Sequence, residues 1–173
     1  LLSKSDENQI ALDCEPVDLK LLIEEICKHA EIIASEKDIK VTIAYLERIQ
    51  VFGDPVRLRQ MIWNVVVNGI KYTQPDGEVK ISVQGKANFA LITVQDNGIG
   101  ISKEDLPQVC NRFYRVDKAR SRKEGGTGLG LSICKFIVDA HKGMIDIESK
   151  LGEGTKFKIS LPKLGVSNSQ KVG

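Results

Sequence analysis

Two pairs of alternating runs constrain this chain most. Glu78–Gln84 ("EVKISVQ") and Phe89–Gln95 ("FALITVQ") make every second residue apolar or small, with "GKAN" between them. Met144–Ser149 and Thr155–Leu161 repeat the pattern across "KLGEG". A period of two sends successive side chains to opposite faces of a strand, so each pair reads as a hairpin with one covered face. Helices must supply the cover. Asp18 can cap one through about Ser35, with Leu19, Leu22, Ile23, Ile26, Ala30 and Ile33 on one face. Asp54-Pro55 is a strong start for a second, a carboxylate cap followed by proline at the first helical position. That helix should run to about Tyr72, burying Leu58, Met61, Ile62 and Val65, and "QPDG" ends it. Leu129–His141 reads as a third, with Leu129, Ile133, Phe136, Ile137 and Ala140 inward and Gly143 past its end. Lys40–Tyr45 alternates and adds a strand. The expected class is α+β: a two-layer α/β sandwich, with a mixed, mostly antiparallel sheet packed on helices.

At 173 residues, 42% hydrophobic and 28% charged, the chain fits one globular unit. The expected division is a connector over 1–16, the folded domain over 17–162 and a disordered tail over 163–173. A net charge of +2 gives no ground for a nucleic-acid partner. Cys14, Cys27, Cys110 and Cys134 have no C-x-x-C spacing, so neither a zinc site nor a disulfide framework is indicated. No apolar run approaches the roughly 20 residues of a membrane span.

Four stretches could carry chemistry. On the second helix Asn64, Asn68, Lys71 and Tyr72 fall at i, i+4, i+7 and i+8, on one face. Two amides and an ammonium there read either as a solvated surface or as oxygen ligands for Mg²⁺ beside a cation for phosphate. Asp96 ends an apolar strand, and Gly98 and Gly100 follow in "DNGIGI". A carboxylate buried there needs a donor, and the exocyclic amino group of adenine is one. The glycines make an ordinary turn or let a ligand lie against the backbone. "GGTGLGL", Gly125–Leu131, leads into a helix, where free N–H groups and the helix dipole favour an anion. Between the glycine clusters, Arg112, Arg115, Lys118, Arg120, Arg122 and Lys123 concentrate positive charge, and residues 114–127 read as a loop. That loop reads as a nucleic-acid contact, a solvated loop or a lid over a polyphosphate. Ser102 and Asp105 form a capping-box pattern before a short helix that Pro107 limits.

Taken in order, Asn-x-x-x-Asn-x-x-Lys-Tyr, Asp-x-Gly-x-Gly, Phe-Tyr-Arg and Gly-Thr-Gly-Leu-Gly-Leu resemble a known series. They match the N box, first glycine box, F box and second glycine box of the sensor histidine kinase ATP-binding domain. The resemblance spans about Glu15 to Pro162. It implies the Bergerat-type fold shared with gyrase, MutL and certain chaperone ATPases, with ATP and Mg²⁺ as cofactors. It assigns the adenine amino group to Asp96, the base pocket to Gly98 and Gly100, and a place near adenine to Thr155. Asn68 becomes the Mg²⁺ ligand. Asn64, Lys71 and Arg115 become the catalytic residues beside the polyphosphate, and Tyr72 lines the nucleotide edge. Gly126, Gly128 and Gly130 form the second phosphate-facing turn. Nucleotide contacts extend by the same correspondence to Ile101, Tyr114, Thr127, Leu129 and Leu131.

This chain departs from the family pattern at Gly69, where alanine is common, at the bulky Trp63, and at Lys142 within the last helix's ending. Its two histidines, His29 and His141, lack the family's phosphoacceptor context, so both read as structural. The resemblance therefore implies the catalytic part of a protein-histidine kinase. Residues 1–16 would then be the end of a dimerisation helix and its linker. The phosphoacceptor would lie on the protein's own dimerisation domain, outside this chain, with a response regulator downstream. The expected setting is cytoplasmic, monomeric as a fragment and homodimeric at full length, with membrane attachment only through regions further towards the N-terminus. Two alternatives stand beside it: a gyrase- or MutL-like ATPase, and a non-catalytic nucleotide-binding module. The ATPases of that group place a glutamate, as base for water, one turn before the metal asparagine. Here that position is Asn64, which cannot take a proton.

Overall fold

A computed structural model describes residues 11–116 and 126–165. A short strand β1 (Glu15–Asp18) leads into helix α1 (Leu19–Ser35). Asp18 caps that helix: its Oδ1 accepts from the Lys20 and Leu21 N–H groups at 2.9 and 3.4 Å. Its Oδ2 takes Arg48 Nε at 2.9 Å. The buried stripe runs through Ile23, Ile26, Cys27, Ala30 and Ala34, leaving Ile33 at its margin 37% exposed. After β2 (Lys40–Leu46) and β3 (Gln50–Gly53), Asp54 caps α2 (Pro55–Tyr72) by accepting from the Val56 and Arg57 N–H groups at 3.0 and 3.1 Å. Leu58, Met61, Ile62, Val65, Val66 and Ile70 are buried on one side of α2. The side bearing Asn64, Asn68, Lys71 and Tyr72 stays half-buried.

Strands β4 (Glu78–Lys86) and β5 (Phe89–Asp96) form the first hairpin, and β6 (Met144–Lys150) with β7 (Gly154–Pro162) the second. The five-stranded sheet has the order β2-β4-β5-β7-β6, with β2 parallel to β4 and every other pair antiparallel. Its inner face gives Val79, Ile81, Val83, Ile92, Val94, Phe157, Ile159 and Leu161 to a single core shared with the helices. On the outer face Lys158 of β7 pairs with Glu148 of β6. Helix α3 (Gly130–Ala140) packs along α2. Its fully buried residues are Cys134, Ile137 and Val138, so Leu129, Ile133, Phe136 and Ala140, expected inward, are only half-covered. The helix lies against α2 on one side and β6 on another, which turns its stripe away from the simple projection.

Two expectations change. Glu15 and Pro16, read as the end of a connector, open β1, which pairs antiparallel with β3 and sets Pro16 opposite Phe52. A proline is tolerated there because β1 is paired on one side only. Lys163 and Leu164, read as the start of a disordered tail, are held by backbone hydrogen bonds to Asn88 and Gln50 carbonyls at 3.0 and 2.9 Å. The connector expectation for 1–10, most of the loop at 114–127 and the tail beyond 165 lie outside the described residues.

Candidate functional site

The half-buried side of α2, the end of β5 and the start of α3 enclose a cavity of about 290 Å³, near the lower end of the usual size for a small-molecule site. From α2 come Asn64, Asn68, Lys71 and Tyr72. Asp96, Gly100 and Ile101 line it from β5 and the turn that follows. Tyr114 and Arg115 line it together with Gly126, Thr127, Gly128, Gly130 and Leu131, and Thr155 enters from β7. Fifteen of the seventeen residues expected from sequence thus meet around one space, while Gly98 and Leu129 do not line it. Leu129 instead receives the first helical contacts of α3, its carbonyl accepting from Ser132 Oγ and the Ile133 N–H at 2.8 and 2.9 Å.

Asp96 is 6% exposed. Its Oδ1 accepts from the Gly98 N–H at 2.9 Å and the Thr155 N–H at 3.3 Å. Burial pushes its carboxyl above the ordinary carboxylate range, and those two N–H groups pull back against it. The glycines beside it answer to the protein's own backbone. A Cβ on Gly98 would stand 2.3 Å from the Tyr72 carbonyl oxygen, where the Ile99 N–H already donates at 3.1 Å. Gly100 has φ +71°, and a Cβ there would meet the Lys150 carbonyl at 2.0 Å. Both glycines therefore bring the turn against α2 and the β6–β7 hairpin. Only Gly100 also faces the cavity.

Two positive charges converge on Gly126. A Cβ on Gly126 would lie 2.6 Å from Lys71 Nζ and 3.4 Å from an Arg115 guanidinium nitrogen. Lys71 Nζ is 5.3 Å from the centroid of the Tyr72 ring, a cation–π distance. Asn64 Nδ2 donates to the Gly130 carbonyl at 3.3 Å, tying α2 to the first residue of α3. Phe113 and Gly128 both have positive φ, and the Phe113 N–H donates to the Gly128 carbonyl at 3.0 Å. That bond sets Tyr114 and Arg115 beside the glycine turn. The Tyr114 hydroxyl donates to Asp105, and Ser102 Oγ donates to the other Asp105 oxygen at 2.6 Å. The Ser102–Asp105 pattern thus anchors a cavity wall, and the helix after it is one turn of 3₁₀ (Leu106–Gln108).

Sequence reasoning missed the apolar lining: Trp63, Val67, Ile99, Val109, Val116 and Phe157. Trp63 and Val67 lie one residue before and three after Asn64, so their helical spacing could have found them. It also missed Ser149, whose Oγ joins Ile101, Gly154 and Thr155. Among the described residues no three His, Cys, Asp or Glu side chains group as a metal site.

Residues 53–165 match the family of histidine kinase-, DNA gyrase B- and HSP90-like ATPases. The chain belongs to that family. Within it, this is an ATPase catalytic domain of the histidine kinase type. It is 35% identical over 162 residues to the sensor protein SrrB of Staphylococcus aureus, which covers 94% of the chain. The chain spans only 28% of SrrB's length. The mycobacterial sensor histidine kinase MprB superposes with a TM-score of 0.75 at 29% identity, over 87% of this chain and 97% of that one. Full-length ShkA, solved with AMPPNP, gives 0.78 at 26% identity, over 90% of this chain and 32% of its own. The domain's α+β architecture is that of these kinases.

Proposed function

We propose that this domain binds ATP with Mg²⁺ and hands its γ-phosphate to a histidine on the dimerisation domain of the same sensor kinase, from which a response regulator is served. The observation that carries the reading is the polarity of the cavity. Around one space the fold sets two kinds of group: acceptors, the Asp96 carboxylate and Thr155, and a cluster of Lys71 and Arg115 at a glycine turn opening α3. A purine amino group suits the first and a polyphosphate the second. ShkA, with a similar fold, holds an ATP analogue.

Asn68 is the residue that would hold the metal. It lies on the cavity face of α2, between Asn64 and Lys71, and its amide oxygen is a hard ligand suited to Mg²⁺. A single protein ligand fits an ion that keeps its waters and takes phosphate oxygens. When bound, the ion neutralises charge on the phosphates. Lys71 and Arg115 orient the same phosphates and stabilise charge as it moves. Asn64 cannot act as base for water, and its amide is engaged with Gly130, which favours transfer over hydrolysis.

Neither histidine of this chain is the acceptor. His141 Nε2 accepts from the Asp54 N–H at 3.0 Å, and its Nδ1 donates to the Ile137 carbonyl at 2.8 Å, so both ring nitrogens are occupied. His29 is exposed on α1, far in sequence from any cavity residue. The full-length protein would be a homodimer whose catalytic domains face the cytoplasm. Among the described residues no helix is long and apolar enough to cross a membrane. The test supplies labelled ATP to this chain with and without its helical dimerisation domain. Acid-labile label should appear on the added domain only, and Asn68→Ala should lose most of the gain that Mg²⁺ gives. Label on this chain alone, or none on the partner despite ATP binding, overturns the reading.

A further inference from the structure

Ser149 sits on the half-buried side of β6, where three stretches of chain meet. Its Oγ accepts from the Ile101 N–H at 2.8 Å, donates to the Gly154 carbonyl at 2.9 Å, and lies 2.7 Å from Thr155 Oγ1. A hydroxyl has one proton to give and two lone pairs to receive with. The Ile101 amide can only donate and the Gly154 carbonyl can only accept. Ser149 must therefore spend its proton on Gly154 and one lone pair on Ile101. The remaining lone pair faces Thr155, so the Thr155 hydroxyl donates to Ser149. Its proton is turned away from the cavity, and Thr155 Oγ1 presents lone pairs alone to whatever enters.

Thr155 is 7% exposed and stands directly opposite Asp96 in the β5–β7 register. Both line the cavity. Two neighbouring acceptors call for a group with two N–H donors. An exocyclic amino group has two; a carbonyl in the same place would face oxygen on both sides. We infer that Ser149 is a positioning residue that sets base specificity: by fixing Thr155 as an acceptor, it makes the site choose a 6-amino purine over a 6-oxo purine. The inference rests on the nucleotide-binding reading above and adds a residue and a selection rule to it. With Ser149 absent the threonine hydroxyl is free to rotate and donate, so the penalty against the carbonyl falls.

The experiment titrates the domain with ATP and with inosine triphosphate, which carries the same sugar and phosphates but an oxygen at position 6. Wild type should prefer ATP. Ser149→Ala should narrow that preference by about fivefold to tenfold, the weight of one neutral hydrogen bond, with much of the change a gain for the inosine nucleotide. Thr155→Val should narrow it too, because the acceptor itself is gone. A purely structural Ser149 would weaken both nucleotides together and keep their ratio, and that result overturns the inference. Should a melting curve show Ser149→Ala unfolded, an unchanged ratio in folded Thr155→Val overturns it equally. Wild type that binds both triphosphates alike sinks this inference only. Wild type that binds neither removes the nucleotide site and the inference with it.

Discussion

Asp96 and the glycines around it separate what the ligand needs from what the fold needs. In Asp96→Asn the amide oxygen can take over the two N–H groups now on Oδ1, from Gly98 and Thr155. The NH₂ then replaces Oδ2, setting a donor where adenine's amino group needs an acceptor. ATP affinity should fall by roughly 1–3 kcal/mol, the cost of leaving a buried polar pair unmade, as calorimetry would show. Stability should move the other way. Burial raises the carboxyl's pKa in the fold, so between the unfolded value and the raised folded value the native state binds more protons. Wild-type stability therefore falls as pH rises through that window and stays at its lower level above it. The Asn variant lacks this fall, so melting curves of the two without ligand should diverge as the pH climbs. Parallel curves would mean that Asp96 is not strained by burial. Gly98→Ala tests the fold's share. Its Cβ would press on the Tyr72 carbonyl at 2.3 Å, an overpacking expected to cost about 1–3 kcal/mol. Gly130→Ala, with nothing within 4 Å of the new Cβ, should leave stability intact or raise it. Equal losses in the two would show that close approach is not what makes Gly98 a glycine.

Helix ends make the same point at the scale of the element. Lys142 holds φ +56° just past the His141 cap of α3, and the Gly143 N–H reaches back to the Val138 carbonyl at 2.9 Å. The left-handed residue is therefore the lysine, one position before Gly143, the glycine expected past the helix end. A non-glycine residue there costs about 1–2 kcal/mol, partly offset by the extra chain entropy a glycine would lose on folding. Lys142→Gly should raise the melting temperature by a few degrees, about 2–4 °C per kcal/mol gained in a domain of this size. A lower melting temperature would show that the lysine's contacts outweigh its backbone strain. The long elements were legible because periodicity and caps agreed: Asp18 and Asp54 start their helices where a capping carboxylate, followed by proline at Asp54, precedes an apolar stripe. The strands β1 and β3 were not, since four residues give no room for a period and Pro16 argues against a strand unless its free side is known. The site divides likewise. Its polar residues carry chemical signs that survive in sequence, and fifteen of the seventeen named converge. Val109, Val116 and Phe157 are plain apolar residues from three separate segments, and only the fold makes them one wall. Gly98 looked like a ligand contact because sequence shows an absent side chain but not what fills its place.

The described residues form a two-layer α+β domain, and the proposed reading places the phosphate acceptor on a different domain. His141 is locked between the start of α2 and the end of α3 by hydrogen bonds at both ring nitrogens. On that reading the domain meets its acceptor as a second body. Its rate then depends on how the two are held together. Supplied separately, domain and acceptor should react in proportion to concentration. Joined in one chain, they should react at a rate independent of dilution, because a short flexible linker fixes the effective concentration at about the millimolar level. The ratio of the tethered first-order rate to the separate second-order constant measures that concentration directly. Positioning of the γ-phosphate by Lys71 and Arg115 should be common to both formats, so Lys71→Ala should slow them by the same factor. A Lys71→Ala penalty seen only in the tethered protein would mean that the lysine acts on docking between the bodies. In that case the convergence of Lys71 and Arg115 on Gly126 would belong to an interface rather than to a phosphate site.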